Sequence, residues 1–258
     1  MILRSLSTAV QPARLAVQAR PAAEVFIQTQ KHVDAPYGII LQPEHSALAG
    51  HLAEALSLDA FGKLPDDVIL AASQHDFGWK TSDQAQIHLL GERQPRPFPA
   101  LTVEETLRSW NDSISHARQL SPLTYVMVSR HFTLLGTGDA GRAEFVRAEN
   151  ARRAEIESSL PYSEADLERW AGAVGFCDLL SLYLCCGSRD AVGLPIAHPA
   201  DPHTATAKRA RLSWEKGSPV FSPSILRPQT RVSLEVRSYS GHGTDLELLA
   251  LEWDFPTG

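Results

Sequence analysis

The sequence Gln74-His75-Asp76-Phe77-Gly78-Trp79 places a histidine and an aspartate side by side at the end of an apolar run, residues 66–73. The run has the composition of a helix, and the glycine that follows the pair is typical of a helix end. Adjacent side chains on a helix point about 100° apart, so one metal ion can bind both residues only in a cleft that the helix end faces. The pair therefore requires further ligands from elsewhere in the chain.

His45 is the first such candidate. Apolar residues follow it at offsets of 3, 4, 7 and 11, which is the spacing of one face of a helix. This pattern predicts that His45 lies on the buried face of its helix. A buried histidine more often serves as a core residue that is hydrogen-bonded to a backbone carbonyl, so His45 alone does not identify a site.

His131 is the second candidate, on a helix predicted over residues 122–135 with apolar residues three and four positions away on both sides. Arg130 would then lie at the rim, where it could bind an anionic substrate group or remain a solvated surface arginine. An alternative treats residues 124–128 as a strand followed by the G-x-G-x-x-G sequence of residues 136–141. The second parallel strand of a dinucleotide-binding unit is missing, which favours a flexible connection between helices.

Asp178 is the third candidate and lies in the middle of the apolar run of residues 171–186. A carboxylate in a dry core must be paired, hydrogen-bonded, neutralised or bound to a metal, because its burial is otherwise too costly. A central helix position offers it no free backbone N–H. Asp178 is therefore the most informative single residue after the His75-Asp76 pair.

The remaining patterns predict a mainly α fold, a helical bundle with a small accessory β-sheet formed by N- and C-terminal strands. The helices are expected to begin near Pro43, Pro65, Thr102, Ser121, Ala140 and Ser163. The strands are expected at residues 24–29, 37–41, 209–214, 231–237 and 246–253. Residues 83–100 contain three prolines, and their apolar residues show neither helical nor strand spacing. This predicts a long loop, either a lid over a site or an ordinary surface loop. We expect a single helical domain over residues 24–258, with a β-rich segment at about 208–255.

The composition is that of an ordinary globular protein, and we expect its partner to be a small molecule. The formal net charge is −6 and the pI is near 5.9, which argues against binding to nucleic acid or to an acidic membrane. The three cysteines fit no paired framework and no C-x-x-C zinc pattern, which favours a reducing compartment and a core role. The longest apolar stretch is too short to span a membrane. We therefore expect a cytoplasmic protein.

Residues 1–23 contain three arginines and no acidic residue. This composition is typical of a mitochondrial transit peptide, which would place the protein in the mitochondrial matrix. The alternative is an N-terminal extension that is disordered or forms a strand. Neither alternative assigns these residues a role in chemistry.

Four segments together resemble known families: Gln42-Pro43-Glu44-His45 with Ala49-Gly50, His75-Asp76-Phe77-Gly78-Trp79, Ser129-Arg130-His131, and Asp178-Leu179-Leu180-Ser181-Leu182. The order of histidine, His-Asp and distant aspartate resembles the HD-domain superfamily of metal-dependent phosphohydrolases. The full set, over about residues 37–255, is similar to an uncharacterised domain-of-unknown-function family (family 3891). The HD resemblance implies a helical core that holds one divalent metal between His45, His75, Asp76 and Asp178. It implies His131 as a further ligand or a substrate contact.

This resemblance implies hydrolysis of a small phosphate ester or nucleotide. Mixed imidazole and carboxylate ligands suit Mn, Fe, Zn, Ni or Co better than Mg or Ca. Asp76 would orient the nucleophile, and Arg130, Lys80 and His51 are candidates to neutralise phosphate charge. Trp79 would wall the substrate site, although a core position is the commoner role of a tryptophan. The alternatives are a diiron oxygenase and a non-catalytic protein that binds a metal or ligand.

Overall fold

The computed structural model describes residues 1–6, 36–189, 191–196 and 209–256. Its α-helices are α1 (Gln42–Ala55), α2 (Leu58–Phe61), α3 (Asp66–Gln74), α4 (Lys80–His88), α5 (Val103–Leu120), α6 (Pro122–Gly136), α7 (Ala143–Ser159) and α8 (Glu164–Cys185). Single 3₁₀ turns occupy Phe77–Trp79, Phe98–Ala100 and Ala140–Arg142. The described chain is mainly helical with accessory β-structure, as the sequence predicted. None of these helices combines the length and the apolarity needed to cross a membrane.

The helices begin where the sequence places N-capping residues. Thr102 and Glu105 form a reciprocal capping box at the start of α5. The side chains of Ser121 and Ser163 accept backbone N–H groups at the starts of α6 and α8. These caps separate α5 from α6 by one residue, so the chain reverses sharply and the two helices pack as neighbours.

Two glycines allow the helices around the His75-Asp76 pair to approach closely. A Cβ atom at Gly50 on α1 would lie 2.5 Å from the Cβ of Ser73 on α3. A Cβ atom at Gly78 would lie 2.2 Å from the backbone oxygen of Ser109 and 2.4 Å from the backbone nitrogen of Ser113, both on α5. Because a residue with a side chain does not fit at either position, these glycines set the spacing of α1, α3 and α5.

The strands form two antiparallel sheets. The first sheet has the order β1-β2-β6-β7, with β1 (Ile2–Ser5), β2 (Tyr37–Ile40), β6 (Thr230–Tyr239) and β7 (Glu247–Phe255). The second has the order β3-β4-β5, with β3 (Val192–Pro195), β4 (Arg209–Glu215) and β5 (Ser218–Ser222). The predicted pairing of N- and C-terminal strands is confirmed for β2 with β6, where Gly38 lies opposite Ser238. The predicted strand at 209–214 instead joins the second sheet.

One predicted loop differs from the structure, and one alternative is ruled out. Residues 83–100 do not form one continuous loop, because α4 extends to His88 and a 3₁₀ turn forms at Phe98–Ala100. Residues 124–128 lie inside α6, which confirms the helix predicted over residues 122–135 and rules out the dinucleotide-binding alternative, which required a strand there. The predicted strand at 24–29 lies outside the described residues. Of the segment 1–23, only residues 1–6 are described, and Ile2–Ser5 of these form β1.

Candidate metal centre

Five imidazole and carboxylate side chains meet between four elements of the helical core. His45 lies in the first turn of α1, and His75 and Asp76 follow the last residue of α3. His131 lies in α6, and Asp178 lies in α8. Each of the five residues is 6% exposed or less. The predicted burial of His45, His131 and Asp178 is therefore confirmed.

The ligand atoms of these residues are separated by distances that suit neighbours around a metal ion. His45 Nε2 lies 3.0 Å from Asp76 Oδ2 and 3.5 Å from Asp178 Oδ1. His75 Nε2 lies 3.3 Å from Asp178 Oδ1 and 3.7 Å from Asp76 Oδ2. His131 Nε2 lies 3.6 Å from Asp178 Oδ2. With metal–ligand bonds of about 2.1 Å, adjacent ligand atoms are roughly 3.0 to 3.4 Å apart. The separations of 3.0 and 3.3 Å lie within this range, and those of 3.5, 3.6 and 3.7 Å lie just above it.

The cluster consists of two overlapping triads of ligand atoms. The first contains His45, His75 and Asp76, and the second contains His75, His131 and Asp178. Within each triad all ligand atoms lie within 4.8 Å of one another. His75 belongs to both triads, which makes it the centre of the cluster.

Hydrogen bonds fix the orientation of two of the imidazoles. His75 Nδ1 lies 2.8 Å from the backbone oxygen of Ala72. A carbonyl oxygen can only accept, so Nδ1 carries the proton and Nε2 faces the carboxylates. His45 Nδ1 lies 2.7 Å from the hydroxyl oxygen of Ser181, which again directs Nε2 towards the cluster. Metal-binding histidines in proteins are held in this way by a partner on the other ring nitrogen.

The electrostatics of the cluster favour a positive charge at its centre. Burial alone lowers the pKa of His75, but the charges of Asp76 and Asp178 outweigh burial and raise it to about 9. Burial also raises the pKa of Asp178, yet the hydrogen bond and charge of His75 hold it below its ordinary value. Burial lowers the pKa of His131 to about 4, so this imidazole is neutral at pH 7. Once His75 loses its proton, one divalent cation would balance the charge of the two carboxylates.

Arg130 lies next to this cluster in the chain, but its guanidinium binds two carboxylates. Nε donates to Glu157, and Nη2 lies 2.8 Å from both carboxylate oxygens of Glu164. The Arg130 side chain is 10% exposed. Its charge is therefore offset within the protein, and the structure does not present it as a free cation at the rim.

The other predicted substrate contacts occupy different surroundings. Trp79 is 2% exposed and lies in the hydrophobic core, where no described protein group accepts its indole N–H. Lys80 is exposed, with its ammonium nitrogen 5.7 Å from the centroid of the Phe77 ring. His51 is exposed on α1, whereas His45 on the same helix is buried. These three residues keep their assigned roles only as predictions.

The sequence reasoning missed two polar side chains near the cluster. Ser181 contacts His45, and its position three residues after Asp178 on one helix face would have indicated it. His116 stacks on Phe77 with ring centroids 3.7 Å apart, and its Nε2 lies 3.3 Å from Gln74 Oε1. His116 comes from the polar face of α5, and no sequence pattern relates that face to residues 74–77.

Comparison with known proteins gives one match. The model of the family described as "Protein of unknown function (DUF3891)" matches residues 28–238, which include all five clustered residues. No curated protein and no solved structure is significantly similar to the chain. The comparisons therefore establish a family and bring no reaction with it.

Proposed function

We propose that this chain, which belongs to the family described as proteins of unknown function (DUF3891), is a metal-dependent hydrolase of small phosphate esters. The observation that carries the proposal is the convergence of three imidazoles and two carboxylates in the helical core, where imidazole nitrogens lie 3.0 to 3.7 Å from carboxylate oxygens. Without a compensating cation such a cluster destabilises the fold, because the burial of two carboxylates has a large desolvation penalty. Function is the simplest reason to maintain that cost.

The proposed ligands are His45, His75, Asp76 and Asp178, with His131 as a fifth ligand or a contact to the substrate. Nitrogen and oxygen donors together suit Mn, Fe, Zn, Ni or Co. Magnesium and calcium prefer all-oxygen sites, so the three imidazoles argue against both. Two aspartates leave the site able to accept a proton as well as a cation.

The reaction class follows from what such a centre does with water. A bound divalent ion lowers the pKa of water towards neutrality and polarises a phosphoryl oxygen, which is the chemistry that phosphate ester hydrolysis requires. In the proposal Asp76 orients the attacking water. The order of His45, His75-Asp76 and Asp178 in the chain, which resembles that of HD-domain phosphohydrolases, supports this class of reaction.

The charges around the site restrict how an anionic substrate would be held. Arg130 would bind a phosphate only after Glu164 releases one edge of the guanidinium, and Glu164 is the exposed partner of the two carboxylates. Lys80 is the exposed cation that follows the His75-Asp76 pair and needs no such release.

The test begins with protein purified without chelators or a metal-affinity tag, followed by elemental analysis. Metal-free protein is then reconstituted with each of the five metals and assayed against phosphate monoesters, phosphodiesters and nucleotides. The proposal expects phosphate release that requires the metal and is lost in Asp178→Asn. Iron together with oxygen consumption would instead identify an oxygenase. Metal binding without turnover of any ester would identify a metal-binding protein and overturn the hydrolase.

A further inference from the structure

Ser181 lies at the contact between two of the helices that supply the cluster. It is fully buried in α8, one turn after Asp178. Its hydroxyl oxygen lies 2.9 Å from the backbone oxygen of Asp178 and 2.7 Å from Nδ1 of His45, which belongs to α1. These two neighbours determine where the hydroxyl donates its proton and where it accepts one.

The two contacts determine which atom donates in each hydrogen bond. The backbone oxygen of Asp178 can only accept, so the single proton of the Ser181 hydroxyl is donated to it. The hydroxyl oxygen then has only lone pairs to offer His45. His45 Nδ1 must therefore carry a proton and donate it to Ser181.

This assignment determines the chemistry of the opposite ring nitrogen. With Nδ1 protonated, the neutral imidazole of His45 has its lone pair on Nε2. Nε2 lies 3.0 Å from Asp76 Oδ2 and 3.5 Å from Asp178 Oδ1, so the lone pair faces the carboxylates of the cluster. The opposite tautomer would direct an N–H group into the place of the cation.

We propose that Ser181 is a positioning residue that holds His45 in the Nδ1–H tautomer and aims its Nε2 lone pair at the metal ion. The proposal rests on the metal-dependent function proposed above. His75 is held in the same tautomer by the backbone oxygen of Ala72, which no substitution can remove. For His45 the partner of Nδ1 is the side chain of Ser181, and a side chain can be replaced. The role of Ser181 can therefore be tested by mutation.

The experiment compares Ser181→Ala, Ser181→Thr and a control, Ser129→Ala. Ser129 is equally buried and its hydroxyl accepts from Arg153, so its loss also removes one buried hydrogen bond. Zinc affinity is measured by competition with a chelator, and unfolding of the metal-free proteins by urea. We expect zinc affinity to fall about 10- to 100-fold in Ser181→Ala, which is the usual effect of removing the hydrogen-bond partner of a metal-binding histidine. Ser181→Thr, which keeps the hydroxyl, should retain more of the affinity, and Ser129→Ala should retain nearly all of it.

A second readout reports the tautomer directly. In protein labelled with ¹⁵N-histidine, the wild type should show a proton on His45 Nδ1 with and without zinc, and Ser181→Ala should lose this hydrogen-bonded signal. Absence of the Nδ1 proton from the wild type would overturn the proposal, as would unchanged zinc affinity in Ser181→Ala. A wild type that shows the Nδ1 proton but binds no divalent metal would refute the proposed function while leaving the orientation by Ser181 in place.

Discussion

His75 Nε2 lies 3.3 Å from Asp178 Oδ1, and both atoms are buried between α3 and α8. His75 Nδ1 is committed to the backbone oxygen of Ala72, so the neutral imidazole would direct a lone pair at a carboxylate oxygen. Two electron-rich atoms at this distance need a proton or a metal ion between them. In the metal-free protein the raised pKa of His75 supplies that proton, and under the proposed function a metal ion would take its place.

Replacing one carboxylate should separate metal binding from folding. Asp178→Asn keeps the size of the side chain and removes its charge, so we expect metal affinity to fall by more than about 100-fold, beyond the effect of outer-shell changes. His88→Ala, which removes an exposed histidine at the end of α4, is the matched control and should bind as the wild type does. Competition with a chromophoric chelator measures both. Wild-type affinity in Asp178→Asn would show that the carboxylate is not a ligand.

The stability of the metal-free protein should depend on pH through His75. Its pKa is raised to about 9, so stabilisation by the charged imidazole is fully present below about pH 6.5, the ordinary value, and is lost as the pH rises through 9. The loss should reach a few kcal/mol. A bound metal replaces the proton, so metal affinity should rise across the same window.

Thermal unfolding in the presence of a chelator, between about pH 6 and pH 10, measures this effect. His75→Ala should flatten the pH profile across that window, and saturating metal should flatten it in the wild type. Metal-free stability that is constant or increases between pH 6.5 and 9 would contradict the assignment of a raised pKa to His75.

Gly78→Ala should disrupt both the fold and the site. The added Cβ would lie 2.2 and 2.4 Å from backbone atoms of Ser109 and Ser113, which cannot move away as a flexible side chain could. We expect a loss of about 1 to 3 kcal/mol in unfolding free energy, with weaker metal binding because Asp76 is two residues away. Gly175→Ala in α8 is the control, since nothing lies within 4 Å of its added Cβ. It should leave stability unchanged or increase it by up to about 1 kcal/mol.

Because Arg130 binds two carboxylates, we expect it to contribute to the stability of the fold. Arg130→Ala removes one ion pair of Glu157, whose side chain is 17% exposed. Among the described residues, Glu157 then keeps the 3.5 Å contact to Arg153. We expect a loss of about 1 to 3 kcal/mol, measured by urea unfolding. Glu164→Ala should cost less than about 1 kcal/mol, because Glu164 is 64% exposed. Both variants should bind metal as the wild type does, and weaker binding by either would show that Arg130 supports the cluster.

Periodicity made most of the helical core predictable, because the spacing of apolar residues reports which helix face is buried. His45, His131 and Asp178 were found in this way as polar groups on buried faces. A buried imidazole or carboxylate needs a partner, so their convergence on His75-Asp76 could be predicted without coordinates.

Other features depend on contacts that one sequence does not contain. Strands β3 and β5 include Gly193, Pro195 and Pro219, residues typical of loops, and they form strands through pairing with β4. The buried residues of helix α4 are polar, Asp83 and Gln86, so the spacing of its apolar residues does not reveal a helix. These elements are set by tertiary contacts and not by local pattern.

The charge of Arg130 illustrates the same limit at the site. Its position beside His131 predicted a cation at the rim. Glu157 and Glu164, from α7 and α8, offset that charge, and nothing in the local sequence of α6 indicates that they meet there. Partners that come from distant helices decide whether a charged side chain is free to bind a substrate.

The most direct test of the central claim is the metal content of the protein as purified, measured by elemental analysis beside the Asp178→Asn and His75→Ala variants. The account predicts roughly one or more divalent transition-metal ions per chain in the wild type and almost none in either variant. A wild-type protein that is folded, is free of metal and binds none when manganese, iron, zinc, nickel or cobalt is added would contradict it.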